Sequence, residues 1–345
     1  MRAGASAGRP GALAGGSLPF PAVAAVGALL VLGGLAASVA LGASVIPLDR
    51  AVTAFTAHDG SREHVIVTDV RVPRALMATA VGAALGVAGA VMQAVSRNPL
   101  AEPGILGVSW GAALAAVGAQ AFLGVGSPAG VVACALAGAA LAGLLVVGLG
   151  AIGRGGLTPT KLVVAGAAVS TLLWAVLQGV LVLDQQSLEA SRRWLAGSLA
   201  GRDAAALVHV LPYMALGLAI ALVLGRALTA LSLGEDVARG LGQRTGLVKG
   251  AAALAVVLLA GGAVAVAGPI VLVGLAVPHL ARSLVGRDYR RVLPVAALGG
   301  AVLVLAADVA ARFVIPPEEV PVGVMTALVG APVFLRVVRR GARPL

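Results

Sequence analysis

PGILGVSWGAALAAVGAQAFLGVGSPAGVVACALAGAALAGLLVVGLGAIG, residues Pro103 to Gly153, runs for fifty-one positions without one Asp, Glu, Lys or Arg. A small water-soluble core cannot hide so much apolar side chain, whereas a bilayer hydrocarbon layer ~30 Å thick takes up ~20 apolar helical residues per crossing. The stretch therefore holds two crossings, hinged at Gly124-Val125-Gly126-Ser127-Pro128. Similar tracts recur along nearly the whole chain, which reads as an all-α, polytopic membrane helix bundle.

Hydrophobic residues make up 59% of the chain and charged residues 11%, against about a quarter charged in a soluble domain. The formal charge of +11 does not point to nucleic acid, because aromatic readers are scarce at 3% and no solvated basic face accompanies them. Cys134 is the single cysteine and lies in an apolar tract, so neither a disulfide framework nor a thiolate metal site forms within one chain. The charge-free segment from Pro10 to Leu48, preceded by Arg2 and Arg9, resembles a signal peptide with Ser38-Val39-Ala40 as a cleavage site. The many later crossings already target the chain, so the first helix is expected to stay as an uncleaved signal.

Apolar tracts between charged or Pro/Gly-rich breaks predict ten helices, at about 21–42, 74–95, 105–123, 129–151, 161–183, 205–227, 247–266, 269–284, 292–312 and 320–338. The run from Gly250 to Ala281 is too long for one straight crossing and short for two, and charge asymmetry decides it. With ten crossings and the N-terminus inside, seventeen of the twenty-five Lys and Arg fall on the cytoplasmic side. A single crossing there would put Arg282, Arg287, Arg290 and Arg291 outside, against the positive-inside bias. The expected organisation is a cytoplasmic tail over residues 1–20, a ten-helix domain over 21–338 with a cytoplasmic loop at 229–249, and a cytoplasmic tail over 339–345.

Many of the 48 glycines sit inside these helices, among them Gly82, Gly86, Gly89, Gly138 and Gly143. Small residues three or four apart let helix backbones approach closely in lipid, where packing replaces the hydrophobic effect between helices. The polar chemistry is sparse. Leu233-Gly234-Glu235-Asp236-Val237-Ala238-Arg239-Gly240-Leu241-Gly242 reads as a short helix outside the membrane with its macrodipole complemented, either a docking knob or a cap on the bundle. Ser96-Arg97-Asn98-Pro99-Leu100-Ala101-Glu102-Pro103 reads as an ordered turn, and His279 as a capping or packed side chain. Asp308 is the one carboxylate well inside an apolar tract, with Arg312 one helical turn on; pairing between them competes with an ion or proton pathway. His58-Asp59 and Glu63-His64 lie in a polar loop and make a weak metal motif. No Gly-x-x-x-x-Gly-Lys-Ser/Thr cradle surrounds Lys161, so any use of ATP falls to a partner.

Arg71-Val72-Pro73-Arg74, Gly89-Ala90-Val91-Met92-Gln93 and Asn98-Pro99-Leu100-Ala101-Glu102-Pro103-Gly104-Ile105-Leu106-Gly107 strongly resemble the FecCD-type permeases of ABC importers for iron-siderophores, haem and vitamin B12. Further matches follow in order at Trp194-Leu195-Ala196-Gly197-Ser198-Leu199, Gly274 to His279 with Arg282, Gly286-Arg287-Asp288 with Arg290, Glu319 to Gly323, and Gly330-Ala331-Pro332. The likeness covers about residues 65–338 and departs at Leu272, where the family often has Phe. It implies a type II ABC importer permease fold in a bacterial cell membrane, a second permease subunit, two cytoplasmic ATPase subunits and an extracytoplasmic solute-binding protein. It further implies that Gly234, Glu235, Asp236, Val237, Ala238, Arg239, Gly240, Leu241 and Gly242 couple to the ATPase, and that Arg71, Arg74 and Arg312 meet glutamates of the binding protein. Ferric siderophore is the first expectation for cargo, then haem or cobalamin; an ion-coupled secondary transporter using Asp308 is the rival. No resident cofactor or metal is implied.

Overall fold

The computed structural model describes residues 18–42, 46–57, 59–152, 158–183, 194–202, 204–316 and 318–341. Arg2, Arg9, His58, Arg154, Asp184, Glu189, Arg192, Arg193, Asp203 and Arg343, on which parts of the expected topology rest, lie outside the described residues.

The elements are α1 Phe20–Ala40, α2 Leu48–Thr56, α3 Arg62–Val65, α4 Val72–Ser96, α5 Val108–Leu123, α6 Pro128–Ala151, α7 Pro159–Leu183, α8 Ala204–Val223, α9 Gly225–Leu233, α10 Glu235–Gly240, α11 Thr245–Val256, α12 Gly262–Ala267, α13 Val273–Val285, α14 Tyr289–Ala311 and α15 Val322–Gly341. π-helical turns at Ile66–Arg71 and Val257–Gly261 join α3 to α4 and α11 to α12 into continuous rods. Among the described residues, seven helical rods are long and apolar enough to cross a bilayer, and three shorter apolar helices, Val108–Leu123, Val273–Val285 and Val322–Pro332, complete the ten expected.

The boundaries differ where backbone chemistry intervenes. The second rod begins at Arg62 rather than near 74, because the π-turn carries the helix through Asp69 and Arg71. Residues 105–107, expected as helix, belong to a 3-10 turn, Pro103–Leu106, closed by Gly107 at φ 69°. The run expected at 205–227 divides near Leu224 into α8 and α9. The doubtful run from Gly250 to Ala281 does break, at Gly268, whose φ is 73°. A Cβ there would stand 1.8 Å from the carbonyl oxygen of Trp194, so only glycine lets the two backbones meet. After an extended passage, α13 has 13 residues, about 20 Å of helix, and reaches only partway across.

The rod Arg62–Ser96 is the hub: 78% of its most apolar window is buried inside the chain, against 6% for α1 at the periphery. Its glycines explain how it becomes so enclosed. A Cβ on Gly82 would lie 2.3 Å from the Gly300 carbonyl oxygen of α14, and one on Gly89 2.0 Å from that of Gly274 in α13. Gly138 of α6 meets Gly111 of α5 in the same way, at 2.2 Å, whereas Gly143 has nothing closer than 3.8 Å and makes no close approach.

α4 also sets the scale across the membrane. Arg74 and Ser96 are twenty-two residues apart on one helix, about 33 Å at 1.5 Å per residue, which matches the ~30 Å hydrocarbon layer. α1 ends and α15 begins beside the Arg74 end, since Arg312 bonds Ser38 and Arg74 pairs with Glu319. The N-terminal end of α1 lies at the opposite end, where the Leu18 amide donates to the Leu284 carbonyl at 2.9 Å. Both ends of the described chain are therefore on the side where α4 finishes.

Candidate functional site

Two polar constructions stand at opposite ends of α4. At its start, Pro73 opens the helix and places Arg74 one residue on, facing α14. Arg74 Nε donates to Asp308 Oδ1 and Oδ2 at 2.9 and 3.2 Å, its Nη2 lies 2.8 Å from Oδ1, and its Nη1 lies 2.7 Å from Glu319 Oε2. From the next turn of α14, Arg312 Nη2 donates to Asp308 Oδ2 and, at 2.8 Å, to the Ser38 hydroxyl. Asp308 is fully buried. A lone carboxylate there would be prohibitively costly in a dry interior, and two guanidiniums sharing both its oxygens make it tenable.

The arginines have a second task. α1 ends in carbonyls that find no partner within the helix and carry the negative end of its dipole. Arg312 Nη1 donates to Ser38 and Leu41 carbonyls at 2.7 Å each, and Arg71 Nη1 to those of Val39 and Ala40 at 2.8 and 2.9 Å. The structure thus brings Arg71, Arg74 and Arg312 to one end, as expected from their grouping. It places their guanidiniums inside the bundle rather than projecting: all three residues are buried, with Arg71 at 4% and Arg312 at 3% exposure. The pairing of Asp308 with Arg312 follows from their i to i+4 spacing, but Arg74, Ser38 and Glu319 join only in three dimensions.

At the other end, α9 leads through Gly234, at φ 137°, into the six-residue α10, and Gly242 at φ 79° turns the chain toward α11. Asp236, Val237, Arg239, Gly240 and Leu241 are exposed, Leu241 at 72%, while Ala238 is buried and anchors the turn. Glu235 does not face the same way as Asp236. It turns back onto the bundle, where Oε2 accepts from Lys249 Nζ at 2.6 Å and Oε1 accepts from Arg239 Nη2 at 2.8 Å and from the Thr245 hydroxyl at 3.2 Å. The Lys249 ammonium, with Thr245 and Arg239, holds the Glu235 carboxyl below the usual range.

The base of this knob is tied to α14 as well. Asp288 caps α14 by accepting from the Arg290 amide at 3.0 Å, and the Tyr289 amide donates to the Thr229 hydroxyl of α9 at 2.9 Å. The Arg290 guanidinium holds Asp288 below the usual carboxylate range. α14 therefore carries the knob's tie at Asp288 and the buried cluster at Asp308, about 30 Å apart along one helix. Lys249, Thr245, Thr229 and Asp288 are the residues a reading of the loop alone overlooks; only Asp288 stood in a motif.

A test of the tie follows from its titration. A carboxyl with a depressed folded-state value contributes its stability above the ordinary Glu range, ~4.3, and loses it as pH falls through the depressed value. Amide exchange across residues 234–244, corrected for its intrinsic pH dependence, is expected to quicken below about pH 4. Glu235→Gln should show the quickened exchange already at neutral pH, with a global stability change below about 1 kcal/mol because the pairs are solvent-accessible. Full protection in that variant would remove the tie.

Other residues singled out from the sequence take structural places. His64 is buried and bridges Asp59, 2.8 Å from its Nδ1, and the Thr53 hydroxyl, 3.0 Å from its Nε2. Among the described residues no group of three His, Cys, Asp or Glu is arranged to hold a metal. The Asn98 side chain closes its turn by accepting from the Leu100 amide at 2.9 Å.

The sequence matches the FecCD transport family over residues 29–340. YfiZ of Bacillus subtilis (strain 168), described as the permease protein of a siderophore transport system, is 48% identical over 314 residues, covering 91% of this chain and 94% of the relative. FepD of Escherichia coli (strain K12), the permease protein of a ferric enterobactin transport system, is 42% identical over 315 residues, covering 91% and 94%. A solved ABC transporter described as being of metal-chelate type, in an inward-facing conformation, superposes with a TM-score of 0.80 at 29% identity, covering 93% of this chain and 99% of that one.

Proposed function

This chain belongs to the FecCD transport family, and from that premise we propose that it is the membrane-spanning permease subunit of an ATP-driven importer for a ferric siderophore or a related metal chelate. The observation that carries the reading is the near full-length likeness to permeases of ferric chelate systems. Haem and cobalamin stand behind the siderophore, because the bundle's apolar walls name no cargo and the binding protein selects it.

The working unit pairs this permease with a second one, a homodimer or a paralogue, in the bacterial cell membrane, with two cytoplasmic ATPase subunits that hydrolyse ATP and a solute-binding protein outside. The knob from Gly234 to Gly242 faces the cytoplasm with both chain ends, and Asp236, Val237, Arg239 and Leu241 enter a cleft of the ATPase. Glu235 and Lys249 hold it in the register that transmits movement to α11. At the far end the binding protein docks on the surface whose shape Arg71, Arg74 and Arg312 hold together from beneath. ATP-driven closure repositions the knob and the packed helices switch between discrete arrangements, since close-packed interiors are bistable rather than continuously deformable. The rival use of Asp308 as an ion site has little to support it, because both its oxygens are engaged by guanidiniums.

The test is uptake in vesicles containing this chain with the ATPase and binding protein of its own cell. Iron-chelate uptake should need ATP and all partners, and replacing Glu235 and Asp236 together should leave ATP hydrolysis running without uptake. Uptake driven by an ion gradient without any ATPase would replace the importer with a secondary transporter. Sidedness is checked in a Cys134→Ala background: Gly240→Cys should react with an impermeant thiol reagent only from the inner face, and the exposed Phe313→Cys only from the outer. Labelling of Gly240→Cys from outside would end the account.

A further inference from the structure

Next to the knob, α4, α6, α7 and α11 enclose a cleft of about 810 Å³ that the transport reading does not use. Its length is apolar, walled by residues such as Val91, Met92 and Val257. Leu144 of α6 and Leu254 of α11 also line it and are 68% and 49% exposed on the bundle's outer surface, so the cleft opens sideways toward the lipid. Polar groups gather at one end only, where α4 stops and α11 begins: Ser96, Arg97, Thr158, Glu235 and Lys249. That end is the level of the membrane interface, about 33 Å along α4 from the Arg74 cluster.

The charges at this end are unevenly satisfied. Glu235 is already neutralised by Lys249 and Arg239. Arg97 is exposed, projects from a left-handed turn at φ 50° that ends α4, and makes no side-chain hydrogen bond or ion pair among the described residues. An apolar slot open at the bundle's side, closed at one end by a guanidinium that has no partner among the described residues, suits an amphiphile carrying a phosphate. Basic pockets between membrane helices hold anionic lipid headgroups in this manner.

We propose that this cleft is a binding site for one anionic phospholipid, an acyl chain lying between α6 and α11 and the headgroup phosphate on Arg97. Occupied, it fills space beside the Glu235–Lys249 tie and braces the root of the knob. The proposal needs only a membrane-embedded bundle and is independent of the cargo.

The full chain, purified in detergent, is titrated with dioleoyl phosphatidylglycerol or dioleoyl phosphatidylcholine and the retained lipid counted by native mass spectrometry. One cation at the interface favours an anionic lipid by about fivefold, so phosphatidylglycerol should be retained about fivefold more tightly. Arg97→Gln should bring the two lipids to parity. Gly250→Leu, a position that lines the cleft with nothing within 4 Å of an added Cβ, should cut retention of both by filling the slot without disturbing the fold. Equal retention of the two lipids by the unaltered chain, or unreduced retention in Gly250→Leu, overturns the proposal. Displacement of phosphatidylglycerol by millimolar inorganic phosphate also overturns it, marking a simple anion site.

Discussion

Replacing Arg312 with Met is expected to destabilise the protein by about 3–5 kcal/mol, the range for leaving one member of a buried ion pair without its partner. Asp308, fully buried, would retain Arg74 but lose the Arg312 guanidinium from Oδ2, and the last turn of α1 would lose the donors now bonded to Ser38 and Leu41. Arg74→Met should cost a similar amount through Asp308 and Glu319. The decisive comparison is the double variant Arg74→Met with Asp308→Asn. The two residues share one ion pair, so their losses should not add: the double variant should cost less than the sum of Arg74→Met and Asp308→Asn measured singly. Thermal unfolding midpoints in detergent measure this, and strictly additive losses would remove Asp308 from the centre of the cluster.

The second large effect is steric. Gly89→Leu is expected to abolish folding or to force α4 and α13 apart, because its Cβ alone would stand 2.0 Å from the Gly274 carbonyl oxygen and 2.5 Å from the Gly274 Cα. Both obstacles are backbone, which cannot rotate away as a side chain can, so the cost exceeds the ~1–3 kcal/mol of ordinary overpacking. Gly143→Ala is the control. With its nearest neighbours at 3.8 and 3.9 Å, it should change the midpoint little or raise it slightly, since alanine restricts the unfolded chain. Equal behaviour of the two variants would mean that the glycines of α4 do not set the helix spacing.

The contrast between these glycines shows where the sequence stops being legible. Gly89 and Gly143 both stand in apolar tracts with other small residues nearby, and spacing treats them alike. Only the path of α13 across α4 makes one indispensable and leaves the other lining an open cleft. Glu235 and Asp236 pose the same problem: adjacent acids at a helix start read as a unit, yet one points out and the other is taken by Lys249, fourteen residues on. For the arginines, position along the chain established which end of the bundle they occupy, because topology places loops. Whether their guanidiniums face out or in depended on the carbonyls left at the end of α1, which no local pattern announces.

Apolar tracts near the length of a bilayer crossing, and the parity of Lys and Arg between them, determined by themselves that this chain is a ten-helix bundle with its polar loop at 234–242 and its arginine cluster at opposite ends. Those properties are one-dimensional: transfer of side chains into hydrocarbon and the bias of positive charge act on each segment almost independently of the rest. The tertiary structure alone decided that Arg74 of α4 reaches Asp308 of α14 across 234 positions, that Gly268 passes Trp194, and that a cleft opens beside the knob with an arginine that has no partner among the described residues. These depend on which helix lies against which, and in lipid that choice rests on close packing and a few polar contacts rather than on any gradient of hydrophobicity along the chain.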